Sequence, residues 1–134
     1  MGKYLNIDTR IFSIFGSDAW LSESVKTYPC NFIKLDSTVP YIRISIIPSG
    51  IGVNKNSVSG VLIADIFIPN GSGPKAASTI ADKLDTHLIN KTFEIAEGVS
   101  TQFFNSTHSL VGTDVDNSAL YRTTYTIPFN YNEV

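Results

Sequence analysis

A chain of 134 residues and 14.7 kDa supplies one domain's worth of core. Apolar residues make up 43% of it and charged residues only 16%, against roughly 25% charged in an average soluble domain, which excludes an intrinsically disordered chain. Ten basic and twelve acidic residues give a net charge of −2, so no basic footprint points to sequence-specific nucleic-acid binding.

The first element is helical. Ile7, Ile11, Ile14 and Phe15 recur at spacings of three and four, and Asn6 or Asp8 is the expected N-cap of a segment over residues 6–24. Gly16-Ser17 interrupts that segment, and Ala19, Trp20 and Leu21 form a short second apolar turn. Tyr28-Pro29 is expected to close it, because a residue before proline is pushed out of the helical region. Residues 32–35 then read as a short strand and 36–38 as a turn.

From Val39 the period changes to two. Ile42, Ile44 and Ile46 take one face; Tyr41, Arg43 and Ser45 take the other, which is expected to be partly wet. Pro48-Ser49-Gly50 ends this strand, and the polar stretch 50–59, with Asn54, Lys55 and Asn56 at its tip, connects a long β-hairpin. The returning strand, 58–69, is apolar on both faces: Val61, Ile63 and Phe67 on one, Leu62, Ala64, Ile66 and Ile68 on the other. Such a strand is central in a sheet or covered by a partner. Asp65 is its one charge and reads as a satisfied or partly exposed carboxylate rather than a functional one.

Pro69-Asn70-Gly71-Ser72-Gly73-Pro74 stops the strand and starts a helix over 74–88. Its apolar stripe is Ala77, Ile80, Ala81, Leu84 and Leu88, and the two alanines allow close approach to a sheet. His87 is expected to help cap its last carbonyls. Short strands follow at 92–96, 101–104 and 109–111, separated by turn residues, with an acidic turn at 114–118. A last strand runs over 120–129, with Tyr121, Thr123, Tyr125 and Ile127 alternating against Leu120, Arg122, Thr124 and Thr126. The order predicts a single α+β domain over 1–134: an antiparallel or mixed sheet with a long β-hairpin packed against two helices.

Catalytic chemistry is missing from this inventory. Gly71-Ser72-Gly73 with Lys75 sits between a strand and a helix but lacks the endings of a Walker or dinucleotide loop. At most it offers an anion-binding helix start, the minor alternative of a small ligand-binding module. Asp114 and Asp116 lack the glycine and glutamate of a calcium loop. His87 and His108 have no carboxylates at ligand spacing. The single Cys30 excludes an intrachain disulfide and reads as a small buried thiol in a reducing compartment. No enzyme, metal or cofactor is expected. The N-terminus shows neither a signal peptide nor a myristoylation motif, and no apolar run is long enough to span a membrane.

The strand Tyr41-Ile42-Arg43-Ile44-Ser45-Ile46-Ile47-Pro48 is followed by a polar loop and a strand built on Gly60, Leu62, Asp65, Phe67 and Pro69. Then come Gly71-Ser72-Gly73, an alanine-bearing helix, and a closing Tyr121-Arg122 that leads into Thr126-Ile127-Pro128-Phe129. In this order the chain resembles the tail terminator-like (tail completion) proteins of long-tailed bacteriophages of the lambda type, over nearly its whole length.

The resemblance implies a virion structural protein whose protomers close into a six-membered ring on the head-proximal end of the tail tube. That ring stops tube polymerisation and offers a joining surface, while the genome passes through its lumen. Its partners would be further copies of itself, the major tail tube protein and a head-completion or neck protein. It would be located in the virion tail, and in the host cytoplasm during assembly. Another head–tail joining protein is the alternative. The family carries no catalytic residues, and Asn54, Lys55, Asn56, Asn70, Ser72 and Lys75 are the expected assembly contacts.

Overall fold

The N-terminal helix buries one apolar stripe, as its spacing requires. The computed structural model describes residues 3–23, 25–29, 40–48, 58–69, 74–89, 91–96, 99–113 and 120–133. Helix α1 (Lys3–Phe15) buries Ile7, Ile11, Ile14 and Phe15 and exposes Asp8, Thr9 and Ser13. It starts at Lys3, so Asn6 and Asp8 lie inside it rather than capping it. An Asp8 cap would leave Ile7 outside the helix, whereas Ile7 shares the buried stripe of Ile11; the turn that precedes Asn6 carries no apolar repeat to mark it.

Ser17 ends one helix and begins the next. Its hydroxyl donates to the Ile14 carbonyl at 2.7 Å. Its extended backbone (φ −72°, ψ 154°) lets the same oxygen accept from the Trp20 amide, capping α2 (Asp18–Leu21). Trp20 is buried edge-on to Phe15, and its indole N–H donates to Thr27 at 2.9 Å. Thr27 lies on β1 (Lys26–Pro29), a strand where the sequence suggested only a chain break. Four residues are too few for a period to show. The expected strand at 32–35 and turn at 36–38 lie outside the described residues.

One curled sheet carries the rest. Its strands are β1, β2 (Tyr41–Pro48), β3 (Val58–Pro69), β4 (Thr92–Ala96), β5 (Val99–Phe103), β6 (Thr107–Thr113) and β7 (Leu120–Glu133). Their order is β1-β2-β3-β7-β5-β4, with β6 also on β7. β1 pairs parallel with β2 and every other pair is antiparallel, so the sheet is mixed. β2 and β3 form the expected hairpin, from Tyr41↔Phe67 to Pro48↔Gly60. β3 is central, as its two apolar faces demanded.

β7 is longer than its sequence suggested, running past Phe129 to Glu133. Pro128 lies inside it with no amide to donate, and the matching break falls on the neighbouring strands. β5 pairs with residues 129–133 and β6 with residues 121–126 along the same edge. Between them the Phe104 amide donates to the Pro128 carbonyl at 3.1 Å. In a strand the N–H and C=O of one residue point to the same side, so proline's missing donor faces this interruption. Phe129 and Tyr131 then continue the alternation into the core. β5 and β6 accordingly run longer than the segments expected at 101–104 and 109–111. β6 also carries a bulge between Leu110 and Gly112, where Gly112 takes φ +123°.

All three helices contribute to the core on one face of the sheet. Helix α3 (Pro74–Leu88) matches its predicted span and buries Ala77, Ile80, Ala81, Leu84 and Leu88. These meet Ile42, Ile44, Leu62, Ala64, Ile66, Tyr125, Ile127 and Phe129 in one cluster with the α1 stripe. Each large side chain buried there contributes roughly 1.5–3 kcal/mol. The fold is thus a single-domain α+β structure, and among the described residues the other face of the sheet carries no helix.

Gly60 sets the tolerance of the β2-β3-β7 junction. A Cβ there would lie 2.5 Å from the Ile47 carbonyl oxygen, 3.0 Å from the Pro48 Cα and 3.0 Å from the Phe129 ring. Two of those neighbours are backbone and cannot swing aside. Gly60→Ala should therefore lower unfolding free energy in urea by about 1–3 kcal/mol. Gly16→Ala, whose Cβ meets nothing closer than 3.7 Å, should stay within about 0.5 kcal/mol of the parent. Equal losses in the two variants would refute this reading of the junction.

Candidate assembly surface

Register alone arranges the helix-free face into rows across β2, β3 and β7. Tyr41, Phe67 and Arg122 form one row; Arg43, Asp65 and Thr124 the next; then Ser45, Ile63 and Thr126; then Ile47, Val61 and Pro128. The first two rows are largely closed off, the third is half-buried and the fourth is exposed at both ends. Tyr41 is 2% exposed, whereas Ile47 is 49% exposed and Pro128, across Val61 from it, is exposed too. The expectation that Tyr41 lies on a wet face is thus corrected. Its ring stacks on Phe67 at 4.7 Å and meets Tyr28 edge-on at 5.6 Å, making a second, smaller apolar cluster.

Asp65 is buried in the next row, 4% exposed, and both its oxygens face cations. Arg122 Nη2 donates to Oδ1 at 3.0 Å and the Thr124 hydroxyl to the same oxygen at 3.3 Å. Arg43 Nη2 stands 3.8 Å from Oδ2, with its guanidinium 5.0 Å above the Phe67 ring. Asp65 is therefore a satisfied carboxylate, as its isolation in an apolar strand suggested. Arg122 Nε is buried with no hydrogen-bond partner, the only such side-chain atom among the described residues. Arg43 and Arg122 were legible as the cations of these strands, but their convergence on Asp65 required the β3–β7 register.

On the helix side, the polar groups serve packing. The Tyr125 hydroxyl and the Ser106 hydroxyl both donate to Asp85 Oδ1, each at 2.6 Å, tying α3 to β7 and to the break between β5 and β6. Burial, reinforced by the Asp85 hydrogen bond, pushes the Tyr125 pKa above the ordinary tyrosine range. His87 does not act as the expected cap. Backbone amides of Ile89 and Lys91 close that end of α3, and the imidazole instead lies edge-on to Trp20 and 3.8 Å from the Glu23 carboxylate. Lys83 Nζ donates to the Glu23 carbonyl at 3.1 Å, a second tie to the same segment. His108 Nε2 lies 3.0 Å from the Thr123 hydroxyl. Among the described residues no three His, Cys, Asp or Glu side chains are grouped to hold a metal ion.

Of the expected contact residues, Asn54, Lys55, Asn56, Asn70 and Ser72 lie outside the described residues, as does Cys30. Lys75 is exposed on the first turn of α3, where its carbonyl accepts from Thr79 at 2.8 Å. The exposure at Ile47 was not legible from the residues, because alternation marks a face as apolar without saying whether anything covers it.

Two measurements bear on these clusters. Asp65→Ala leaves two guanidinium groups without their carboxylate and should cost about 3–5 kcal/mol. Arg122→Met, at a side chain already 30% exposed, should cost about 1 kcal/mol. A loss at Asp65 no larger than at Arg122 would mean that the cluster is solvated. For Tyr125, the unfolded chain gives up its proton from about pH 10 while the folded chain holds it. The unfolded state then binds fewer protons, so stability falls as pH rises above that point. Tyr125→Phe should flatten the slope of unfolding free energy between about pH 10 and 11.5, as read by urea titration at each pH.

No protein-family model matches the chain, and no curated protein matches it. A solved structure, whose name states no function, superposes with a TM-score of 0.61 at 13% sequence identity, covering 88% of this chain and 84% of that one. At that identity the likeness establishes a shared fold and leaves function to be argued from the surface.

Proposed function

We propose that this chain is a virion structural protein that acts as a tail terminator of a long-tailed bacteriophage. Its copies close into a hexameric ring on the head-proximal end of the tail tube. The observation that carries this reading is the sheet face that bears no helix among the described residues, where Ser45, Ile63, Thr126, Ile47, Val61 and Pro128 form two adjoining, partly exposed rows without a charge. An uncharged, partly exposed stretch of sheet on a chain that is only 16% charged suits burial against another protein. The resemblance in motif order from Tyr41 to Leu88 supplies the identity of the assembly. Ring neighbours meet through two different surfaces, a heterologous contact that closes by rotation. One ring face is complementary to the last tube ring, and the other accepts no further tube subunit and receives the neck protein.

Sedimentation of the purified chain, alone and with tail tubes of its own virion, tests the proposal. Material near six times 14.7 kDa, or rings seen by electron microscopy at one end of each tube, is the expected result. Ile47→Lys should return the protein to single protomers, or strip it from tube ends, while leaving its circular dichroism unchanged. A chain that stays a 14.7 kDa protomer and ignores tube ends would overturn the proposal. Particles made without the protein separate the terminator from another joining protein: overlong, headless tails mark the former and tails of normal length the latter.

A further inference from the structure

We draw no further inference here: the strongest candidate, the open groove between the ends of α1 and α2 and the edge strand β1, lined by Phe15, Leu21, Val25, Lys26 and Thr27, is an apolar surface, and nothing in the structure shows what covers it.

Discussion

Pairing of β3 with β7 over twelve residues, from Val58↔Tyr131 to Pro69↔Leu120, decides which side chains meet on both faces of the sheet. On the helix side it lays the Phe129 ring across Gly60 and sets Tyr125 beside Ala64, where its hydroxyl reaches Asp85 on α3. On the other side it brings Arg122 and Thr124 to Asp65. No other strand pair touches so much of the molecule. β2 hangs on the far edge of β3, and β5 and β6 divide the far edge of β7.

That register is defended by charge as well as by shape. A slip of one residue would turn Asp65 toward α1 and α3 and bring Leu62, Ala64 and Ile66 out to the helix-free face. An unpaired carboxylate among Ile7, Ile80 and Leu84 would cost several kcal/mol, whereas the native register gives it two cations and a hydroxyl. A cluster of this kind is weak evidence for stability in absolute terms, since a well-packed apolar trio often does as well. Its force lies in the difference between registers.

Strongly periodic elements were legible from residues alone. The α3 stripe, the β2–β3 hairpin and the alternation of β7 each offer enough repeats for the buried face to be read, and α3 follows its expected span from Pro74 to Leu88. What escaped had a physical reason in each case. β1 is too short to show a period, and it owes its place to Trp20 and Thr27 rather than to local preference. The reach of β7 past Phe129 escaped because its last residues depend on β5 for a partner, while Pro128 within it faces the gap between β5 and β6. Tyr41 looked like the wet half of an alternating strand because its covering partners, Phe67 and Tyr28, come from other strands. The candidate surface was the least legible part, since exposure at Ile47 depends on what the fold leaves uncovered.

How such a protomer would meet its neighbours follows from the state of its edges. An uncovered sheet invites pairing along its outer strands, which extends the hydrogen-bonded ladder, or packing across its face, which buries side chains. Among the described strands the outer ones are ill suited to the first route. β1 has four residues, with an exposed Lys26 and a terminal Pro29 that has no amide to donate. β4 has five residues and a register irregularity between Glu94 and Ala96. β6 is bulged at Gly112, whose positive φ twists the strand away from a flat ladder. The face around Ile47 and Ile63 carries none of these deterrents: it has no charge in its two partly exposed rows, and β3 beneath it is held on both sides. Rigid backbone under an apolar surface lowers the entropy lost on association. Assembly of this protomer by its face therefore asks for less rearrangement than assembly by its edges.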